Sequence, residues 1–163
     1  MRHLLLSSAA LLLLTLTAFA HEKDANKACP GIDQRVATLI NEYQALRDRQ
    51  RRLPQGSFDK DLLAHGGRLH EVLTSLGEEF GQRLYTKRKL TRCLGEPNAI
   101  KRGKEMNPFL EIYNRELRKA GRVIKEGKDR EYLIYFWRGW HDFLFFISEG
   151  GRIVDHGWWF AYE

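Results

Sequence analysis

The stretch Tyr132–Tyr162, YLIYFWRGWHDFLFFISEGGRIVDHGWWFAY, decides the fold. Tyr132–Trp137 is an aromatic and β-branched run, and Arg138-Gly139 is a turn. Phe143–Ser148 is a second run, followed by Glu149-Gly150-Gly151. Arg152–His156 and Trp158–Tyr162 read as a third strand interrupted at Gly157, where a bulge fits. Short runs joined by tight turns give a three-stranded antiparallel meander. All four tryptophans lie in it, at 137, 140, 158 and 159. Side chains alternate along a strand, so the pairs Phe136-Trp137, Phe145-Phe146 and Trp158-Trp159 must point to opposite faces. Either helices cover both faces, or one face exposes an aromatic patch suited to a partner.

Upstream the apolar period changes from two to helical. Ile32, Val36, Leu39, Tyr43, Leu46 and Leu53 form one face of a helix over 30–52, with Pro30 in its first turn. Arg47, Arg49, Arg51 and Arg52 gather near its C-terminal end, where positive charge suits the helix dipole. Pro54-Gln55-Gly56 ends it, and Ser57 can cap a second helix. The second stripe is Phe58, Leu62, Leu69, Val72, Leu73, Leu76 and Phe80, with Gly66-Gly67 a weak point inside it. Thr86 reads as the N-cap of a short helix that turns Leu90, Cys93 and Leu94 inward and ends at Gly95 with a positive φ. Residues 99–105 are basic and read as a loop. Asn107-Pro108 starts another amphipathic helix to about residue 120, which Gly121 and Gly127 bracket beyond that point. The expected fold is α+β: an antiparallel helical pair and short helices packed on a three-stranded antiparallel sheet. Residues 21–163 form one domain, mainly helical to 131 and β from 132.

The first twenty residues read as a cleavable secretory signal. A short basic start (Met1, Arg2, His3) precedes an apolar run from Leu4 to Leu16, and Ala18-Phe19-Ala20 has the small residues a signal peptidase accepts. A membrane anchor needs roughly 20 apolar residues, more than this run offers. The expected mature chain begins at His21, carries no lipid-attachment cysteine and has no transmembrane span. It is periplasmic or secreted. In that oxidising setting Cys29 and Cys93 are expected to pair; buried thiols and a metal site are the rivals, and the absence of CxxC spacing speaks against metal.

The whole chain carries a formal charge of +6. Residues 132–163 hold only Arg138 and Arg152 against Asp142, Glu149, Asp155 and Glu163, so the basic excess lies in the helical part. It could meet an acidic protein, lipid headgroups or a wall polymer, or be a solvated helical surface. No nucleic-acid recognition motif is present.

The segment Thr86–Asn98, TKRKLTRCLGEPN, followed by an aromatic meander, resembles a known module. It is similar to the helix and Leu-Gly-x-Pro-acid/amide turn of the SmpA/OmlA envelope lipoproteins and the β-lactamase-inhibitor-protein-like domains. The resemblance implies a compact unit that holds other proteins without catalysis. This sequence departs from it in lacking the lipid-attachment cysteine, in having a helix near 108–120 where the turn should run into a strand, and in its long N-terminal helical pair.

Few residues look chemical. His141 beside Asp142 could be a base and its orienting acid, yet strand neighbours face apart and no motif marks a nucleophile. A turn with Arg138 stacked on an indole is the structural alternative. His141 and His156 could meet across strands at a metal, without an evident third ligand. His65 and His70, five apart, do not share the i, i+4 face of a zinc helix. A mature N-terminal His21 could chelate copper. No metal or cofactor is expected. The expected function is a non-enzymatic, protein-binding or inhibitor/immunity-type protein whose partner is another envelope or secreted protein. Its surface would be Trp137, Arg138, Trp140, His141, Trp158 and Trp159. The alternatives are a glycan or wall-polymer binder, and a small metal protein or enzyme using His141 and His156.

Overall fold

The computed structural model describes residues 29–82, 84–119 and 129–161. Residues 1–20, read above as a signal, His21, the stretch from Gly121 to Gly127 and Tyr162 lie outside them.

Helix α1 spans Gln34–Arg51 and starts later than the expected residue 30, because the Asp33 carboxylate caps it, accepting from the Val36 amide at 2.9 Å. Val36, Ala37, Ile40 and Tyr43 are its buried face. The second expected helix is two. α2 (Lys60–Leu63) is capped by Asp59 instead of Ser57, and α3 covers Arg68–Gln82. Between them Gly66 has φ +72°, and a Cβ on Gly67 would stand 2.8 Å from the Ala64 carbonyl oxygen. The diglycine is therefore a break with its own geometry. α4 (Lys87–Leu94) is capped by Thr86, which accepts from the Lys89 amide at 3.1 Å, and Gly95 follows at φ 81°.

The sheet has four strands where three were expected. β1 (Ala99–Arg102), β2 (Arg130–Phe136), β3 (Asp142–Glu149) and β4 (Arg152–Phe160) are antiparallel neighbours in that order. β1 falls in the segment read as a basic loop. A 3₁₀ turn at Gly103–Met106 and helix α5 (Asn107–Lys119) follow it.

The bulge also lies elsewhere. Ser148 pairs with Ile153 and Ile147 with Asp155, so Val154 is the extra residue. This insertion shifts the parity of β4 and keeps Ile153, His156, Trp158 and Phe160 on one face. Gly157 stays in register opposite Phe145. Its role is close approach: a Cβ there would lie 2.5 Å from the Tyr113 ring of α5.

Both faces of the sheet are covered. Leu133, Tyr135, Trp137, Leu144, Phe146 and Ile153 pack under α1–α4 with Tyr43, Leu73, Leu76 and Phe80. Tyr132, Ile134, Phe143, Phe145 and Ile147 pack on the opposite side with Met106 and Leu110, flanked by Phe109 and Tyr113 of α5. β3 is the shared wall, buried from Asp142 to Ser148. Cys29 and Cys93 stand at disulfide-bonding distance, their Cα atoms 5.0 Å apart, and tie the segment before α1 to α4. Among the described residues no helix is long and apolar enough to cross a membrane.

Candidate functional site

The β2–β3 turn, Trp137–His141, gathers the polar chemistry of the sheet. At its base the amides of Trp137 and Arg138 both donate to the Asp142 carbonyl, at 3.1 and 3.0 Å. The Asp142 side chain is buried beneath the turn. It accepts from Arg138 Nε at 2.5 Å and from the Ala161 amide at 3.3 Å, and lies 2.8 Å from His141 Nδ1. A buried carboxylate without partners would be costly, and this one has three. With Nδ1–H donating, the neutral ring of His141 would leave Nε2 as an acceptor. The Arg138 guanidinium stacks 4.2 Å from the centroid of Trp137.

Trp140 is the exposed member. It is 48% accessible, the most exposed tryptophan. Its indole is nevertheless seated, edge-on to Phe136 at 4.9 Å and to Phe143 at 5.9 Å, with Lys101 Nζ 5.5 Å from its centroid. Strand β1 thus contributes a cation to the turn.

The six residues expected to form one surface divide among three places. Arg138, Trp140 and His141 share the tip. Trp137 is fully buried under them, so it is a core residue and offers no surface. Trp158 is half-buried on the helical face, stacked on Phe160 at 5.4 Å and close to Trp137. Trp159 points to the α5 face, against Phe109 and Phe143. Strict alternation separates neighbours 158 and 159. His141 and His156 are not brought together either. His141 lies opposite Ala161, five positions along β4 from His156, about 16 Å at ~3.3 Å per residue. His156 instead faces Gly77 and Gly81 of α3, whose missing side chains make room for its ring.

Two features escape a linear reading. The break at 64–67 folds His65 back over α3, so His65 and His70 have rings 4.7 Å apart, although five positions would separate them on a continuous helix. His70 also packs 4.6 Å from Trp137 and 5.0 Å from Trp158. Among the described residues, no group of three or more His, Cys, Asp or Glu side chains could hold a metal ion. The second feature is the clamp on residues 94–98. Arg47 donates to the carbonyls of Leu94 and Glu96 at 3.4 and 3.2 Å and to Asn98 Oδ1 at 3.4 Å. The Tyr135 hydroxyl donates to the Gly95 carbonyl at 3.1 Å. Burial raises the Tyr43 phenol to about 12 against the opposing pull of Arg47, and pushes Tyr135 up as well. The turn runs directly into β1, so the expected departure at this point does not occur and α5 comes after the strand.

Comparison with protein families, curated proteins and solved structures finds no match to this chain. The resemblance to the SmpA/OmlA and β-lactamase-inhibitor-protein-like modules rests on the residues of the 86–98 segment and the strands that follow.

Proposed function

We propose that this is an exported protein-binding protein of the inhibitor or immunity type, without catalytic activity, that holds another envelope or secreted protein through the tip of the β2–β3 hairpin. Trp140 is the anchor, with Arg138, His141 and Lys101 around it. The observation that carries this reading is an indole half open to solvent but oriented by Phe136 and Phe143. Pre-oriented tryptophan and arginine side chains lose little freedom on binding and are frequent hot spots. The Cys29–Cys93 pair suits an oxidising compartment, and the direct run from turn to strand after Asn98 suits the module the sequence resembles.

The test is capture from envelope extract by wild-type protein and by Trp140→Ala. A partner held by wild type and lost about tenfold or more by the variant, the effect of removing one anchor, supports the site. Equal capture by a folded Trp140→Ala protein refutes it. A second reading, acid–base chemistry at His141, is favoured by the 2.8 Å contact of its Nδ1 with Asp142. Turnover of an ester or amide panel that disappears in His141→Gln and persists in Trp140→Ala would select that reading.

A further inference from the structure

Basic side chains across the fold are matched to carboxylates: Arg35 to Glu79, Arg49 to Asp59, Arg68 to Glu42 and Glu71, Lys87 and Arg102 to Glu131, Arg130 to Glu149. In helix α4 only Lys87 is matched in this way. Among the described residues no carboxylate lies within ion-pair distance of Arg88, Lys89 or Arg92. These three cations line one open surface cleft of about 400 Å³ together with Thr86 and Pro30. Like charges converge there with no carboxylate neighbour among the described residues, which raises the local potential in the cleft.

The cleft is also held in shape. Lys89 Nζ is 3.4 Å from the Gly31 carbonyl oxygen and 4.8 Å from the Tyr85 ring centroid, so its ammonium is aimed along the wall. The Pro30 wall is tied covalently to α4, because Cys29 and Cys93 are the neighbours of Pro30 and Arg92. The Thr86 hydroxyl accepts from the Lys89 amide and keeps its own proton to donate. Two guanidinium forks, an ammonium and a hydroxyl exceed what one carboxylate can satisfy; they suit a group with three acceptor oxygens and more than one negative charge.

We propose that this cleft binds a phosphate group. The group belongs either to a small phosphate ester or to a lipid headgroup, and the test separates these sources. The full-length mature protein, labelled with ¹⁵N, is titrated with inorganic phosphate at constant ionic strength, and in parallel mixed with phosphatidylglycerol or phosphatidylcholine vesicles. Amide shifts confined to residue 31 and residues 86–92 should saturate with a midpoint on the order of 1 mM, the range open to a few partly solvated charge contacts. Arg88→Glu with Arg92→Glu should weaken binding by about tenfold or more. The charge-matched control Arg52→Glu with Lys60→Glu alters the same net charge on exposed positions away from the cleft and should change it less than about twofold at ordinary ionic strength. Vesicle binding that needs phosphatidylglycerol and fails with the Arg88/Arg92 variant assigns the headgroup. Phosphate binding without vesicle binding assigns the free ester. Two results overturn the proposal: no saturation by phosphate to about 50 mM, far above the expected midpoint, together with no specific vesicle binding; or equal loss in the control, which would reduce the effect to net charge.

Discussion

Trp137→Ala and Trp140→Ala, three residues apart on one turn, should behave as opposites. Trp137 is fully enclosed by His70, Trp158, Phe160 and the Arg138 guanidinium. Truncating an enclosed indole removes its transfer free energy and leaves a cavity, about 3–5 kcal/mol together. For a domain of this length each kcal/mol moves Tm by about 3–5 °C, so the fall should be about 10–20 °C. Trp140 is 48% exposed and opens to water. Only about half of the ~1.5–3 kcal/mol gained by burying a large side chain is at stake, and no sealed cavity forms. Its truncation should cost about 1 kcal/mol, a fall of about 3–5 °C. Thermal unfolding followed by far-ultraviolet circular dichroism, with urea melts to compare m values, measures both. Were Trp140→Ala to unfold as early as Trp137→Ala, its indole would be a core element and could not anchor a partner.

Replacing Cys29 and Cys93 with serine should lower stability in urea by about 4 kcal/mol, the chain-entropy value for a crosslink across 64 positions; an unchanged urea midpoint would contradict a formed bond. Glu131 is held below the usual carboxylate range by hydrogen bonds from Lys87 and Arg102. A depressed folded-state value contributes stability above the unfolded value and loses it as pH falls through the folded one. Stability of wild type should therefore decline on acidification, and Glu131→Gln should flatten that decline below about pH 4.5, read from urea midpoints across pH. Gly81→Ala would drive a methyl group into the His156 ring. Overpacking of this kind costs about 1–3 kcal/mol, and His156→Ala should recover part of the loss; additive effects in the double variant would disprove the contact.

The helical lobe is the more legible part of the sequence. Its stripes and the Thr86 cap follow from one period and one side-chain geometry. The missed strand had no such signal. Ala99-Ile100-Lys101-Arg102 is an edge whose outward residues include an exposed Ile100 and charges that discourage edge pairing, so it lacks the apolar alternation of a half-buried strand. Its pairing depends on tertiary partners, the Asn98 amide donating to the Ile134 carbonyl and Asn98 Oδ1 accepting from the Phe136 amide. Placing the bulge at Gly157 treated glycine as a backbone signal, whereas that glycine answers to Tyr113, a contact from 44 positions away. Strand alternation does not govern His141, which belongs to the turn, so its ring reaches Asp142 although strand neighbours face apart. Residue type alone does not say which of Trp137, Arg138, Trp140, His141, Trp158 and Trp159 share one surface. Alternation alone sets Trp158 and Trp159 on opposite faces, but the burial of Trp137 and the partial cover of the other two depend on which elements lie on each side of the sheet.

The Cys29–Cys93 crosslink encloses α1, α2 and α3 and most of α4, yet every strand lies outside the loop it closes. A chain that emerges N-terminus first presents both thiols before the first residue of β1. Oxidation can thus proceed without waiting for the sheet, restraining the lobe that will cover one face of it. Synthesis thus has a direction: the residues of the crosslinked lobe come first, and β1, α5 and β2 to β4 follow in chain order.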